Sequence, residues 1–251
     1  MHDEYSHNES LDEKCVHVWF IDLGEPGLSI NGLKNILSPQ ECFRAEKFKF
    51  QKDRVPYIIA HAALRRILAG YLELDPSQLE FREGPYGKPE LVSTTRSETL
   101  NFNLSHSHQA ALVAVTPGRQ IGVDIEYIKR DFQWQEVAGR FFSSGEIARL
   151  RVLPKEQQQR GFFTCWTRKE AYIKAKGGGL SIPLQDFEVS LSPWEPASLI
   201  SCIRDPQEAT RWSLAEVDVG PEYAAAVAVE GHGWRLKCWR WDEHVGAGGG
   251  T

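Results

Sequence analysis

The segment IGVDIE at residues 121–126 is predicted to form a strand with two carboxylates on one face. Side chains of a strand point alternately to its two faces, so the apolar residues share one face and Asp124 and Glu126 share the other. Gly122 lies on the carboxylate face and leaves room there. Unpaired carboxylates repel each other in a partly buried site, and Mg²⁺, which prefers oxygen ligands, would neutralise them. A solvated edge strand is the alternative that the spacing leaves open.

A helix is predicted over residues 161–176, GFFTCWTRKEAYIKAK. Glu170 shares one side of this helix with three apolar residues, Phe163, Trp166 and Ile173, which brings its carboxylate to the margin of the core. Lys174 follows Glu170 by four residues and is therefore its neighbour on the helix surface. An ordinary stabilising pair, worth about 0.3 kcal/mol, is the alternative interpretation.

Polar side chains crowd the bend NLSHSH at residues 103–108, between two short predicted strands, where their donors could converge on an anion. Lys88, in the constrained turn Gly87-Lys88-Pro89, would add positive charge to such a site. A charged helix predicted over residues 38–52 offers four further cations, which are Arg44, Lys47, Lys49 and Lys52. A polar turn and solvated surface cations explain the same residues without any ligand.

Similar words recur about half a chain apart, which indicates a duplicated unit. VWFIDL at 18–23 resembles VDIEYI at 123–128, and AALVAV at 110–115 resembles AAAVAV at 224–229. We therefore predict an α/β (α+β) fold of two similar, pseudo-symmetric halves. Each half would be a small sheet packed on a long helix, with the active site in the cleft between them. Chance similarity between short apolar strands is the competing explanation.

The predicted halves divide the chain near its middle. We expect the N-terminal half at residues 15–118, on the nucleotide side of the cleft, and the C-terminal half at residues 119–242, on the metal and carrier side. The polar residues 1–14 are expected to be disordered, and the glycine-rich residues 243–251 are expected to form a flexible tail.

Composition excludes several classes of protein. With 41% hydrophobic residues among 251, the chain is too apolar for a disordered protein. A net charge of -5 without a long basic run argues against nucleic-acid binding. The five cysteines form no C-x-x-C pair, which suits a reducing compartment, and no stretch reaches the roughly 20 apolar residues of a membrane span. We therefore expect a cytoplasmic protein without a membrane partner.

Taken in order, these motifs resemble the phosphopantetheinyl transferase superfamily, specifically its longer, surfactin-synthetase-activating (Sfp) type. That family shows I/V-G-I/V-D-x-E and, roughly forty residues later, W-x-x-K-E-A-hydrophobic-x-K. This chain has IGVDIE at 121–126 and WTRKEAYIK at 166–174. The words GKP, FNLSHS and KGGGLSIPL also look like the family's, so the resemblance extends from Arg44 to Leu191.

The resemblance implies a magnesium-dependent holo-[acyl-carrier-protein] synthase. Such a 4′-phosphopantetheinyl transferase moves the phosphopantetheine arm of coenzyme A to a serine of an apo acyl or peptidyl carrier protein and releases 3′,5′-ADP. Asp124, Glu126 and Glu170 would hold Mg²⁺, or Mn²⁺ in its place, against the pyrophosphate. Glu170 would also act as general base for the serine hydroxyl, directly or through a water molecule. Lys174 would stabilise or protonate the departing phosphate.

The same resemblance implies a set of residues that bind coenzyme A. Ser105 and His106 would contact its phosphates together with Lys174, and Lys88 and Arg44 would add charge around the 3′-phosphoadenosine. These roles come from the family and not from the spacing of the residues.

One position departs from the family's pattern. The usual Arg-Thr pair after Asp53 is replaced by Pro56 and Tyr57, which puts one phosphate contact in doubt. We expect Arg54 or Arg65 to compensate for the missing contact.

Carrier proteins as a class present a small acidic helix beside the modified serine, so their docking surface should be partly basic and partly apolar. Residues 127–142 have that mixture, with Lys129, Arg130, Phe132, Trp134, Arg140 and Phe141. An amphipathic connection that packs on its own domain is the alternative. A chain of two halves can build the cleft internally, so a monomer is expected.

Two other functions compete with the transferase. A metal-dependent hydrolase could cleave nucleotide pyrophosphates with the same carboxylates and would need no protein acceptor. A non-catalytic module could bind coenzyme A or a carrier protein, but it would have no need of the base and cation at Glu170 and Lys174. The sequence leaves open the physiological carrier protein, its pathway and the tolerance for acylated coenzyme A.

Overall fold

A computed structural model describes residues 11–25, 27–84, 86–92 and 100–242. The tail predicted at residues 243–251 and most of the N-terminal segment 1–14 lie outside these ranges. The strands are β1 (Cys15–Asp22), β2 (Phe81–Glu83), β3 (Pro89–Leu91), β4 (Leu100–Ser107), β5 (Ala110–Pro117), β6 (Ile121–Tyr127), β7 (Phe187–Val189), β8 (Leu199–Cys202), β9 (Trp212–Glu216), β10 (Tyr223–Glu230) and β11 (Arg235–Arg240). The helices are α1 (Ile30–Lys34), α2 (Pro39–Glu46), α3 (Gln51–Leu72), α4 (Trp134–Phe141), α5 (Ser144–Val152), α6 (Lys155–Lys176) and α7 (Glu208–Arg211).

Two sheets organise the fold. The first sheet has the strand order β11-β1-β5-β4, and the second sheet has the order β6-β10-β9. Neighbouring strands are antiparallel except β11, which pairs in parallel with β1. Strand β11 thus adds residues 235–240 to the sheet that the first half of the chain begins. The boundary predicted at residues 118 and 119 stays a prediction.

Each sheet packs on one long helix, as the duplicated sequence predicts. Helix α3 shares a buried apolar cluster with the first sheet, and α6 shares another with the second sheet. A third buried cluster joins β1 and β5 to β6 and β10, so the two halves form a continuous core. Within the described ranges, no helix has the length and apolar character needed to cross a membrane.

The charged helix predicted over residues 38–52 is divided in the structure. It forms α2, which ends at Glu46, and then the start of α3, because Phe48 between them turns inward and its ring centroid lies 5.4 Å from that of Tyr57.

A buried ion pair anchors α3 to α2. The Arg65 Nε atom donates to Glu41 Oε2 at 2.7 Å, and Arg65 Nη1 donates to the carbonyls of Pro76 and Leu79 at 2.8 and 3.0 Å. Glu41 also closes a capping box with Ser38 at the start of α2. Since Arg65 is only 1% exposed, it cannot replace the missing phosphate contact, and the expectation that it compensates is wrong.

Helix α6 lies on the carboxylate face of β6, where Gly122 allows backbone to meet backbone. A Cβ at this position would overlap the carbonyl oxygen of Ala171 and the amide nitrogen of Ala175. Side chains could move away from such a contact, but two backbone atoms held in a helix cannot. Gly122 therefore sets the distance between β6 and α6, and it shares the face of Asp124 as predicted.

Substituting Gly122 with alanine should force β6 and α6 apart. We expect Gly122→Ala to lower the free energy of unfolding by about 3 kcal/mol or more, measured by urea denaturation. Gly70→Ala is a matched control because a Cβ added there would meet no atom of another described element within 4 Å, and alanine should be neutral or stabilise helix α3 by up to about 1 kcal/mol. Equal stability of the wild type and Gly122→Ala would contradict the close approach.

Acid should weaken the fold through Glu41. Burial opposes ionisation of this carboxyl, but bonds from His61, the Ser38 amide and Arg65 outweigh burial and lower its pKa to about 2. Because this value lies below 4.5, the unperturbed pKa of Glu, the ionised group stabilises the fold above pH 4.5 by about 3 kcal/mol. That stability is lost as the pH falls toward 2.

The variant Glu41→Gln tests this pH dependence of the stability. It should be less stable than the wild type at pH 7, and urea denaturation should show the difference shrinking below pH 4.5 as Glu41 of the wild type protonates. A difference that stays constant from pH 7 to about pH 2 would refute the assignment.

Candidate active site

The candidate site lies where the edges of the two sheets meet. Strand β6 is an edge of the second sheet, and β4 is an edge of the first. Asn103 Oδ1 accepts a hydrogen bond from the Val123 amide at 2.8 Å, and Ser107 Oγ accepts one from the Tyr127 amide at 3.1 Å. Side chains of β4 thus satisfy the open edge of β6, which would otherwise invite pairing with another chain.

Asp124 is the most buried carboxylate of this edge, at 4% exposure. Its Oδ1 atom accepts hydrogen bonds from Lys174 Nζ at 2.5 Å and from Ser105 Oγ at 2.9 Å. Burial raises the pKa of Asp124, and Lys174 and Ser105 counteract the rise. The other oxygen, Oδ2, is buried and has no hydrogen-bond partner among the described residues. A buried carboxylate oxygen without a donor is costly, so a cation at this position would relieve the site.

Glu126 and Glu170 are half-buried and carry perturbed carboxyl groups as well. Burial raises the pKa of Glu126, although Ser107 donates to its Oε2 atom at 2.7 Å. Burial raises the pKa of Glu170 to about 7, the charges of Asp124 and Glu126 add to the rise, and Lys174 opposes it. The structure thus brings all three predicted metal ligands into one electrostatic neighbourhood.

The three carboxylates do not already form a closed set of ligands. Across the described ranges, no three side chains of the His, Cys, Asp and Glu types stand ready to hold a metal ion. Lys174 takes part of that space, since its ammonium group binds Asp124 and also reaches the Val123 carbonyl at 3.4 Å. A bound metal would therefore require Lys174 or a carboxylate to move.

Lys88 approaches the same edge from the hairpin of β2 and β3. Its ammonium group donates to the carbonyl oxygen of Ile121 at 2.8 Å, at the first residue of β6. Burial lowers the pKa of Lys88 to about 8, although Glu90 acts in the opposite direction. The predicted cation therefore lies beside β6, partly shielded from solvent.

The other predicted coenzyme A residues lie on β4, α2 and α3. His106 follows Ser105 on β4, and its pKa is lowered by desolvation of the ring and by the nearby charges of His61 and Lys174. Arg44 is exposed in the last turn of α2. Arg54 Nη2 donates to the Phe48 carbonyl at 2.9 Å, while its Nε atom is buried without a partner in the described part of the chain. The Nε donor of Arg54 is therefore unsatisfied within the described residues.

His61 is a neighbour of His106 that sequence reasoning missed. Its ring lies 4.0 Å from the ring of Tyr57, centroid to centroid, and its Nδ1 atom is 3.2 Å from Glu41 Oε1. The signal was available, because Tyr57 and His61 are four residues apart on a helix and must be neighbours. Tyr57, one of the two departures from the family pattern, thus packs against His61.

Comparison with known proteins gives a consistent result. Residues 120–228 match the family model of the 4'-phosphopantetheinyl transferase superfamily, and residues 29–118 match that of the 4'-phosphopantetheinyl transferase N-terminal domain. The transferase HetI of Nostoc is 42% identical over 93% of this chain and 95% of its own. The transferase Sfp of Bacillus subtilis is 30% identical over 77% of this chain and 82% of its own.

Solved structures are similar over a smaller part of the chain. A holo-(acyl-carrier-protein) synthase from Bacillus anthracis, in complex with CoA (3',5'-ADP), matches 45% of this chain and 96% of its own, with 23% identity and a TM-score of 0.36. The family assignment depends on the relatives with longer alignments. From its identity to HetI and Sfp and from its match to both family models, the chain belongs to the 4'-phosphopantetheinyl transferase superfamily, as its motifs predict.

Proposed function

We propose that this chain transfers the phosphopantetheine arm of coenzyme A to a serine of an apo carrier protein, with Asp124, Glu126 and Glu170 as the ligands of Mg²⁺ or Mn²⁺. The observation that carries the metal assignment is the Oδ2 atom of Asp124, which is buried and has no partner in the described ranges although two further carboxylates lie nearby. Carboxylate oxygens are the donors that Mg²⁺ prefers.

The charge balance of the site supports the same assignment. Three carboxylates share the site, and Lys174 is the cation that bonds directly to one of them. Each carboxyl has a raised pKa, which means that the site in its present form stabilises the ionised carboxylates less well than water does. A divalent cation, when bound, would supply the missing positive charge and neutralise the pyrophosphate of coenzyme A.

Glu170 has the properties of a general base for the serine hydroxyl. Burial and the charges of Asp124 and Glu126 raise its pKa, so this carboxyl accepts a proton more readily than an ordinary glutamate does. As the hydroxyl oxygen forms its bond to the β-phosphorus, the proton passes to Glu170, and the bond from phosphorus to the bridging oxygen breaks. Lys174 would stabilise or protonate the departing phosphate of 3′,5′-ADP, because its ammonium group already lies between Asp124 and Ser105.

The residues proposed for coenzyme A come from β4, α6, α2, α3 and the hairpin of β2 and β3. Ser105 Oγ and the Lys174 ammonium lie 2.9 Å apart and can turn toward the pyrophosphate. His106, Arg44, Arg54 and Lys88 would hold the remaining phosphates of the nucleotide. Retention of a perturbed base and a cation at one site favours the transferase over a non-catalytic binding module.

Carrier proteins would dock on the segment 127–142, beside the metal strand. Lys129, Arg130 and Arg140 are exposed, and Phe141 is 39% exposed. Trp134 is buried and Phe132 packs against Phe162 and Phe163, so these two aromatic residues support the surface and do not form it. The proposed docking surface is therefore smaller and more basic than the sequence mixture suggested.

We further propose that the protein works as a monomer in the cytoplasm. Both sides of the cleft come from one chain, and all five cysteines, which lie in the described ranges, are free. Free cysteines are typical of a reducing compartment.

The transferase is tested by incubating the protein with coenzyme A, Mg²⁺ and an apo carrier protein, and then weighing the carrier by mass spectrometry. Asp124→Asn and Glu170→Gln keep the shapes of the side chains, and each should lower kcat/KM by about a hundredfold or more. Glu222→Gln, at an exposed carboxylate, is the matched control and should keep full activity. Cleavage of coenzyme A without a gain in carrier mass would identify a hydrolase, and full activity of Glu170→Gln would remove its assigned roles.

Charge reversal on the docking surface should weaken recognition of the carrier alone. For the double variant Arg130→Glu, Arg140→Glu we expect the KM for the carrier to rise about tenfold, with kcat and the KM for coenzyme A unchanged, because both side chains are exposed and belong to the docking surface. The effect should shrink in high salt. Arg151→Glu on helix α5 is the control. An unchanged KM for the carrier in the double variant would place the docking surface elsewhere.

A further inference from the structure

Glu170 is preceded in sequence by a charged residue that the proposed chemistry leaves unused. Lys169 is 0% exposed and forms an ion pair with Glu146, also 0% exposed, at 2.8 Å from Nζ to Oε2. Ion pairs buried this deeply lose most of their solvation, and an apolar pair of similar volume is often no less stable. A contribution to the stability of the fold therefore does not by itself explain why this ion pair is present.

Hydrogen bonds connect the pair to the segment 184–189. The Lys169 ammonium also donates to the carbonyls of Leu184 and Phe187, at 2.7 and 2.6 Å. Glu146 Oε1 accepts from the Val189 amide at 2.8 Å. The pair thus links the first turn of α5 and the middle of α6 to the chain around β7.

The second oxygen of Glu146 closes a capping box. Glu146 Oε2 accepts from the Ser143 amide at 2.9 Å, while Ser143 Oγ accepts from the Glu146 amide at 3.1 Å. Both oxygens of Glu146 therefore have fixed partners, and the Lys169 ammonium has three acceptors. Such a fully bonded arrangement has one geometry, which an apolar contact between the same helices would not impose.

The consequence for α6 is a fixed rotation about its axis. Lys169 is held on the side of α5 and β7, while Ala171 presses its backbone against Gly122 of β6. Glu170 is the residue between these two anchors. With both neighbours held, the direction in which the Glu170 side chain leaves the helix is determined.

The first half of the chain contains a similar arrangement, an ion pair whose carboxylate also closes a capping box. Glu41 closes a capping box with Ser38 and binds Arg65, which donates to two carbonyls beyond α3. Arg65 and Lys169 each lie fourteen residues after the first residue of their helix. The residue that follows the anchor differs, being Arg66 in α3 and Glu170 in α6.

We infer that Lys169 and Glu146 are positioning residues, which orient the Glu170 carboxylate toward Asp124 and Glu126. The inference rests on the proposed role of Glu170 as a metal ligand and base. Neither Lys169 nor Glu146 touches substrate, because both are sealed from solvent. They fix the direction of the Glu170 carboxylate. A small displacement of a reacting group can lower the rate about a hundredfold.

The double variant Glu146→Gln, Lys169→Met tests this role. It removes both charges together, so no unpaired buried charge remains, and the glutamine oxygen still accepts from the Val189 amide. We expect a folded protein whose affinity for Mn²⁺, measured by electron paramagnetic resonance in the presence of coenzyme A, falls about tenfold to a hundredfold. The kcat should fall by a similar factor, with the KM for the carrier unchanged.

A second ion pair in the same half supplies the matched control. Arg149 and Glu188 also join α5 to β7, at 3.1 Å, but make no bond to α6 within the described ranges. The variant Arg149→Met, Glu188→Gln should therefore keep the Mn²⁺ affinity and the kcat of the wild type. An equal loss in both double variants, or wild-type Mn²⁺ affinity and kcat in folded Glu146→Gln, Lys169→Met, would overturn the inference.

Two further variants separate the possible failures. If Glu170→Gln binds Mn²⁺ as the wild type does, the metal assignment itself is wrong, and the positioning role falls with it. If the charge-free double variant does not fold, Lys169→Arg decides, because it keeps the charge opposite Glu146 but cannot reproduce the compact ammonium contacts. The inference then requires a lower kcat and Mn²⁺ affinity in folded Lys169→Arg, and wild-type values would refute it.

Discussion

The contact between the backbones of β6 and α6 at Gly122 is the constraint on which the rest of the structure depends. It brings a strand that carries Asp124 and Glu126 against a helix that carries Glu170 and Lys174. No side chain lies between these two described elements at this point, so the separation of the four charged groups follows from backbone geometry. A site built from several charged groups benefits from rigid supporting elements that keep their spacing.

Charge at the site is left unbalanced, and the surrounding structure tolerates this imbalance. Three carboxylates lose solvation at the meeting edges of the two sheets, and hydrogen bonds from Ser105, Ser107 and Lys174 compensate only in part. The remaining cost is visible in the raised pKa of Glu170, about 7. Proteins commonly keep such unfavourable groups where a ligand or a reaction uses them.

Local pattern predicted on which faces of β6 and α6 the charged side chains lie. The alternation of IGVDIE placed Gly122 and Asp124 on one face, and helical spacing placed Glu170 at the margin of the core, because both deductions need only the geometry of one element. The anchor of Lys169 could not be predicted in this way, since its partners lie on α5 and near β7. The burial of Arg65 was hidden from the sequence for the same reason.

The order of the strands was also beyond local pattern. Strand β11 pairs in parallel with β1, so that Cys15 lies opposite Arg235, and the pairing spans nearly the whole chain. During synthesis, residues up to 240 must leave the ribosome before this sheet can be completed. The first half therefore waits for the last strand with one edge of β1 uncovered, and folding should be slow and dependent on protection from aggregation in that interval. A fragment that stops after the second sheet would keep all four charged groups of the site and still expose that edge.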